Sequence, residues 1–169
     1  MRKTGIRHLS KESFEQYGSY ASILEPTGPS FGEEPVIFYR DMVQQSLGFA
    51  TSASYSTCVV NQRPWVITNS EVHDYCHETI LCLDGDYLMH VAPACGKGEL
   101  PYENIEVFLL PRGTVVNVKA GVWHAAGFPY KCDKVHIMCA LPERIYATDC
   151  DVLSIPKESQ IEILDKMID

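Results

Sequence analysis

No stretch of this chain approaches the about 20 consecutive apolar residues that span a bilayer, and Met1-Arg2-Lys3-Thr4 opens without the apolar core of a signal peptide. Basic residues are scarce: 14 Lys and Arg stand against 22 Asp and Glu, a formal net charge of -8. A nucleic-acid backbone or an anionic membrane surface would therefore be repelled. Seven cysteines, odd in number and without a Cys-x-x-Cys pair, do not make a disulfide framework. Internal repeats, low-complexity tracts and linkers are absent, and the Gly and Pro residues have no phosphate-loop spacing. The expectation is one cytoplasmic domain, residues 1–169, with enough apolar sequence at 46% hydrophobic residues to bury a core. A small molecule is the expected partner.

What is present is a succession of short strand-like runs. Val36 to Arg40, Gly48 to Val60, Glu78 to Leu83 and Tyr87 to Ala92 are followed by Ile105 to Leu110, Val115 to Val118, Trp123 to Ala125 and Lys134 to Leu141. Gly, Pro and Asp turns divide them, which predicts an all-β sandwich or barrel rather than alternating β and α elements. Asp84-Gly85, between two apolar runs, reads as a hairpin turn with Gly supplying positive φ. Ser10 as N-cap, Phe14 and Tyr17 on one face and Gly18 as stop predict a short N-terminal helix. Tyr20 to Pro35, punctuated by Pro26, Gly28, Pro29 and Gly32, reads as loop. In the tail, Ile161, Leu164 and Ile168 are spaced for an amphipathic C-terminal helix, while Gln160 to Ile163 also alternates as a strand would.

Chemistry concentrates in Glu71-Val72-His73-Asp74-Tyr75-Cys76-His77-Glu78 and, farther along, Gly121-Val122-Trp123-His124. Glu71 and His73 are two apart and share a face if they lie on a strand. Glu78 shares its face with Ile80 and Cys82. Carboxylate and imidazole donors suit zinc, nickel, manganese or iron. Glu71-x-His73-x4-Glu78-x6-Gly85, followed by Gly113-x5-Lys119-x-Gly121-x2-His124, resembles the two signature motifs of the cupin superfamily. Glu71 stands where the first histidine is usual and Lys119 where a proline is usual. The resemblance implies a cupin-type double-stranded β-helix, or jelly-roll barrel. It also implies a divalent metal held by Glu71, His73, Glu78 and His124.

A narrower resemblance covers nearly the whole chain. Ser10-x-Glu12-x-Phe14-x-x-Tyr17-Gly18, Glu71-x-His73, Asn117-x-x-x-Gly121-Val122-Trp123-His124 and Cys150-Asp151-Val152-x-Ser154-Ile155-Pro156 are similar, in this order, to segments of the ureidoglycolate lyase (ureidoglycolate hydrolase) family. That resemblance implies a homodimer, a divalent-metal requirement and release of urea and glyoxylate from ureidoglycolate in purine breakdown. Departures accompany the matches. Ala125 stands where the family has a second histidine, Val72 and Glu78 where it has Arg and Gln, and Val135-His136 where it has an Asp-Phe pair.

Because a shared fold does not carry chemistry, the expected activity is that of a metal-dependent lyase on a small hydroxy acid or related carboxylate or polyol, weak or absent on ureidoglycolate itself. His77 or Glu78, whichever the metal does not hold, is the candidate base, and His136 a group that orients substrate or relays a proton. Lys119 is a candidate to hold a carboxylate, and Tyr75 and Tyr87 are further pocket candidates. Trp123 alternates away from His124 and is expected to pack the barrel. Cys76 is the thiol placed to touch the site, whereas Cys82 and Cys139 read as small hydrophobes in strands. A metal cupin isomerase, an iron dioxygenase and a non-catalytic small-molecule-binding cupin are the alternatives.

Overall fold

The computed structural model describes residues 1–96 and 98–168. The first half contains β1 (Arg2–His8), α1 (Lys11–Phe14), β2 (Gly18–Ser22), β3 (Ser30–Glu33), β4 (Val36–Tyr39), β5 (Ala53–Asn61), β6 (Val66–Ile67), β7 (Asn69–Val72) and β8 (Glu78–Cys82). The second half contains β9 (Tyr87–Ala92), β10 (Glu106–Leu110), β11 (Thr114–Val118), β12 (Trp123–His124), β13 (Phe128–Pro129), β14 (Lys134–Pro142), α2 (Ile145–Thr148), β15 (Asp151–Ser154) and β16 (Ile161–Ile168). A large sheet has the order β15-β7-β12-β9-β10-β1-β16-β6, with β13 also paired to β9. A smaller sheet runs β2-β11-β8-β14-β5, and β3 with β4 makes a separate two-stranded ribbon. No helix among the described residues is long and apolar enough to cross a membrane.

Strand periodicity explains how the large sheet carries two cores. All six residues of β9 are buried, as expected of a strand covered on both faces. Tyr87, Met89 and Val91 point into the core between the sheets, with Phe108 and Leu110 from β10, Ile80 from β8, Val116 from β11 and Ile137 from β14. Leu88 and Ala92 point the other way. They meet a second core built from Ile6, Ile67, Val107, Trp123, Ile161 and Ile163, so β6 and β16 of the same sheet help cover its outer face.

The N-terminal helix forms as a single turn. The Ser10 hydroxyl accepts from the Ser13 amide at 3.1 Å, and the Ser13 hydroxyl accepts from the Ser10 amide at 3.2 Å, satisfying two otherwise orphaned donors. Phe14 and Tyr17 then pack their rings on Phe108. Gly18 does not stop a helix; it opens β2, where a Cβ would lie 2.0 Å from the Asn117 carbonyl oxygen. Within Tyr20 to Pro35, read as loop, β2 continues to Ser22 and β3 pairs with β4.

Two further expectations are corrected. Asp84-Gly85 is not a hairpin, because β8 pairs with β11 and β14 in the small sheet whereas β9 pairs with β10 and β12 in the large one. It is the crossover between sheets, and Gly85 is not among the glycines with positive φ. Asp84 closes the crossover by accepting from the His136 amide at 2.8 Å, and Asp86 by accepting from the Arg112 amide at 2.8 Å. The C-terminal segment is likewise not a helix. Ile161–Ile168 is strand β16, parallel to β1 and antiparallel to β6. Burial of Ile161 and Ile163 in the second core selects the period of two over the helical spacing.

Candidate metal centre

The two ligand-bearing motifs meet where the sheets converge. Glu71 on β7 pairs directly with His124 on β12, His73 follows β7 by one residue, and Glu78 opens β8 in the opposite sheet. The Gly121 amide, in a residue with φ of 79°, donates to the His73 carbonyl at 2.7 Å and ties one motif to the other. One donor atom from each of Glu71, His73, Glu78 and His124 lies within 4.8 Å of the other three.

Both imidazoles are fixed from behind. His73 Nδ1–H donates to the Asp149 carbonyl at 2.6 Å, and His124 Nδ1–H donates to the Val122 carbonyl at 2.9 Å. These bonds select the tautomer and turn both Nε2 atoms toward one point, as histidine ligands require. There His124 Nε2 stands 2.7 Å and His73 Nε2 3.3 Å from Glu78 Oε2. The Asp149 carboxylate also accepts from the Asp74 and Tyr75 amides at 2.8 and 2.9 Å, so the chain around Asp149 braces the turn that carries His73. Below the site, Ser70 donates to the His124 carbonyl at 3.1 Å and contacts Nε2 of the buried His90 at 3.1 Å. Burial holds His90 neutral, with a pKa near 3.

Electrostatics couple the cluster. Burial pushes the Glu78 carboxyl up, but hydrogen bonds and charge from His124 and His73 outweigh it and hold the group far below the usual carboxylate range. Burial likewise works against protonating His124, yet the Glu78 contact raises it to about 9. His73 is raised for the same reason. A divalent cation would displace these protons, making its affinity depend on pH. Two carboxylates and two neutral imidazoles around such an ion sum to no net charge.

The cluster forms one wall of a cavity of about 280 Å³. From β5, Ser54, Ser56 and Cys58 alternate inward; from β14, Ile137, Cys139 and Leu141 do the same. Tyr87, Ala125, Arg144 and Cys150 complete much of the remainder. Cys150 Sγ lies 3.8 Å from Glu71 Oε2.

The family profile for ureidoglycolate lyase matches residues 1–162. The chain belongs to the ureidoglycolate lyase family. Its two-sheet barrel, with four candidate ligands drawn from two motifs, is a cupin fold. No curated protein sequence matches it. Similar solved structures include a dTDP sugar isomerase from Desulfovibrio desulfuricans G20, at 15% identity over 77% of this chain and 81% of that one, with a TM-score of 0.45. A dTDP-4-dehydrorhamnose 3,5-epimerase from Elizabethkingia anophelis NUHP1 is 14% identical over 78% and 69% of the chains, with a TM-score of 0.40. Bacillus subtilis oxalate decarboxylase is 15% identical over 76% of this chain, with a TM-score of 0.41. The chain spans 24% to 34% of the oxalate decarboxylase chains it matches.

Within this ureidoglycolate lyase family member, the structure separates the expected site residues into two groups. Glu71, His73, Glu78 and His124 converge, and Tyr87 and Ala125 line the same cavity. Four others lie elsewhere. His77 is one residue from Glu78 and faces away, its Nδ1 meeting the Asn117 side-chain amide at 3.0 Å. His136 projects from the outer face of β14, since Ile137, Cys139 and Leu141 take the inner one, and pairs with Asp84 at 2.5 Å. Lys119 donates to the Glu15 carbonyl at 2.6 Å. Tyr75 is 61% exposed, its ring against Phe49. None of His77, His136, Lys119 and Tyr75 lines the cavity. Cys76 is buried away from it, its thiol pushed up to about 12 by burial. Trp123 faces the second core, opposite His124.

Sequence reasoning missed Cys58, Arg144, Asp149 and Cys150. The first was legible from the alternation Ser54, Ser56, Cys58. Asp149 had no local signal, because it acts on a histidine 76 positions earlier.

Proposed function

We propose that this member of the ureidoglycolate lyase family is a divalent-metal-dependent lyase acting on a small hydroxy acid. The observation that carries the reading is the convergence of four oxygen and nitrogen donors within 4.8 Å, from two strands of one sheet and one of the other. The donor set fits such an ion: each histidine is anchored through Nδ1 to a backbone carbonyl, which turns Nε2 toward Glu78 and the point where an ion displacing its proton would bind. When bound, the ion polarises a substrate hydroxyl and lowers its pKa.

The chain's own groups then divide the work. His73, His124 and the buried Glu78 hold the centre, with both imidazole contacts fixing the Glu78 carboxylate. Glu71, half-buried at the cavity wall, would offer one carboxylate oxygen to the ion and take the hydroxyl proton on the other. The oxygen electron pair forms the carbonyl, the bond to the leaving nitrogen breaks, and Glu71 returns the proton to that nitrogen. Arg144 at the cavity edge offers positive charge to the substrate carboxylate.

Ureidoglycolate itself is expected to be a poor substrate. Ala125 puts a methyl beside His124 where the family has an imidazole, and Val135 is fully buried in the inter-sheet core. Each lost acid or base group removes about 100-fold to 10,000-fold in rate. The experiment loads purified protein with manganese, zinc, nickel or iron, measures retained metal, and follows glyoxylate release. Retention of none of the four would remove the metal reading. Turnover of ureidoglycolate at roughly 1 to 1,000 per second would restore the plain family activity.

The family resemblance also supports a homodimer, as does the β3–β4 ribbon, where Phe31, Val36 and Phe38 are 62%, 73% and 63% exposed. Sedimentation showing a monomer at micromolar concentration would count against it.

A further inference from the structure

We infer that the cavity selects a 2-hydroxy monocarboxylate whose leaving nitrogen carries an apolar body in place of urea, and that aliphatic 2-hydroxy acids of similar shape bind there as unreactive analogues. The inference rests on the proposed metal reading for the chelating end and on the cavity walls for the rest.

Beyond the ligand cluster the walls are largely hydrocarbon: Ile80 and Ile137 on facing strands, Leu141 and Pro142 at the end of β14, and Ile145 at the start of α2. Ala125 and Ala126 add methyl groups where the chain turns past His124. The Tyr87 hydroxyl accepts from the Gly127 amide, which leaves its O–H as a single donor. Thiols of Cys58, Cys139 and Cys150 are weak donors, which leaves Ser54 and Ser56 as the neutral hydroxyl groups of the wall besides the tyrosines. A ureido group entering this space would meet fewer acceptors than its N–H donors need, a shortfall that apolar groups do not incur.

Charge limits the other end. Glu71 and Glu78 neutralise a divalent ion, and Arg144, its Nε 3.3 Å from Glu143 and its Nη groups left to a ligand, is the single Lys or Arg lining the cavity among the described residues. One carboxylate has a counter-charge there; a second would face two glutamates unpaired. The volume of about 280 Å³ falls just under the about 300–1,000 Å³ of drug-sized ligand sites. That suits a compact acid rather than a sugar nucleotide.

The test is calorimetric binding to zinc-loaded protein of glycolate, lactate, 2-hydroxybutyrate and 2-hydroxyvalerate, with ureidoglycolate as the polar ligand of similar size. Each added methylene should tighten binding about fourfold while it fits the wall. 2-Hydroxyvalerate should bind more tightly than ureidoglycolate. Leu141→Ser, at a partly exposed wall position that a hydroxyl can occupy with the fold kept, should shrink the increment. A flat or falling series, or tighter binding of ureidoglycolate, overturns the inference. If elemental analysis finds no zinc retained, the metal reading fails separately. The same series on metal-free protein then decides the apolar wall by the same criterion, because methylene burial needs no ion.

Discussion

Replacing His124 with alanine in metal-free protein tests whether the cluster is a coupled unit. At pH 6 the His124 imidazole, raised to about 9, is charged against a Glu78 carboxylate that is 5% exposed. His124→Ala leaves that carboxylate with His73 at 3.3 Å as its remaining imidazole partner. Removing one partner of a buried pair costs about 3–5 kcal/mol, and the surviving His73 contact places this case near 3 kcal/mol. For a chain of this size a loss of 1 kcal/mol lowers Tm by about 2–4 °C. Circular-dichroism melting in the presence of a chelator should therefore show a fall of about 6–12 °C. Replacing both groups, Glu78→Leu with His124→Leu, should recover much of the loss, because no charge is left unpaired and His73 can neutralise. A fall under about 2 °C, or a double variant that loses the sum of the two single effects, would refute the coupling.

Three further outcomes are expected. The stability difference between metal-free wild type and His124→Ala should be fully present below the ordinary histidine value of 6.5 and vanish as pH rises through about 9, because the folded-state pKa of His124 is raised. It should shrink again as pH falls below the ordinary glutamate value of 4.5, because Glu78 is depressed; a difference constant across this window in pH-dependent melting would remove the ion pair. Gly127→Ala should destabilise by about 1–3 kcal/mol in denaturant melts, since its Cβ would stand 1.8 Å from the Leu88 carbonyl oxygen, and an unchanged midpoint would contradict that contact. His136→Ala should leave metal content and ligand affinity unchanged; a loss of either, by elemental analysis or calorimetry, would bring this outer-face residue back into the site.

Glu71, His73, Glu78 and His124 were legible as candidate ligands through their resemblance to the two cupin motifs, with the spacing of two giving Glu71 and His73 one face. Sequence position alone makes His77 and His136 site candidates; the Asn117 contact and the parity of β14 turn them away from the cavity. What the chain order hid was partnership. Asp84-Gly85 has the local pattern of a hairpin, but only the pairing of β8 and β9 with different sheets makes it a crossover. The C-terminal segment satisfies helical and strand spacings together until β1 and β6 bury Ile161 and Ile163. Asp149 and Cys150 reach the site from a turn whose own sequence carries no ligand spacing.

The parallel pairing of β1 with β16 joins segments from opposite ends of the described chain. During synthesis at about 5–20 residues per second, β16 leaves the ribosome about 8–30 s after β1. Through that interval Ile6 has no Ile161 or Ile163 to close over it, and the outer side of the large sheet stays open to solvent. Nascent chains arrested before β16 should therefore be cut readily by protease, whereas full-length chains acquire resistance in one late step. Protection already complete before β16 emerges would mean that the inter-sheet core alone suffices.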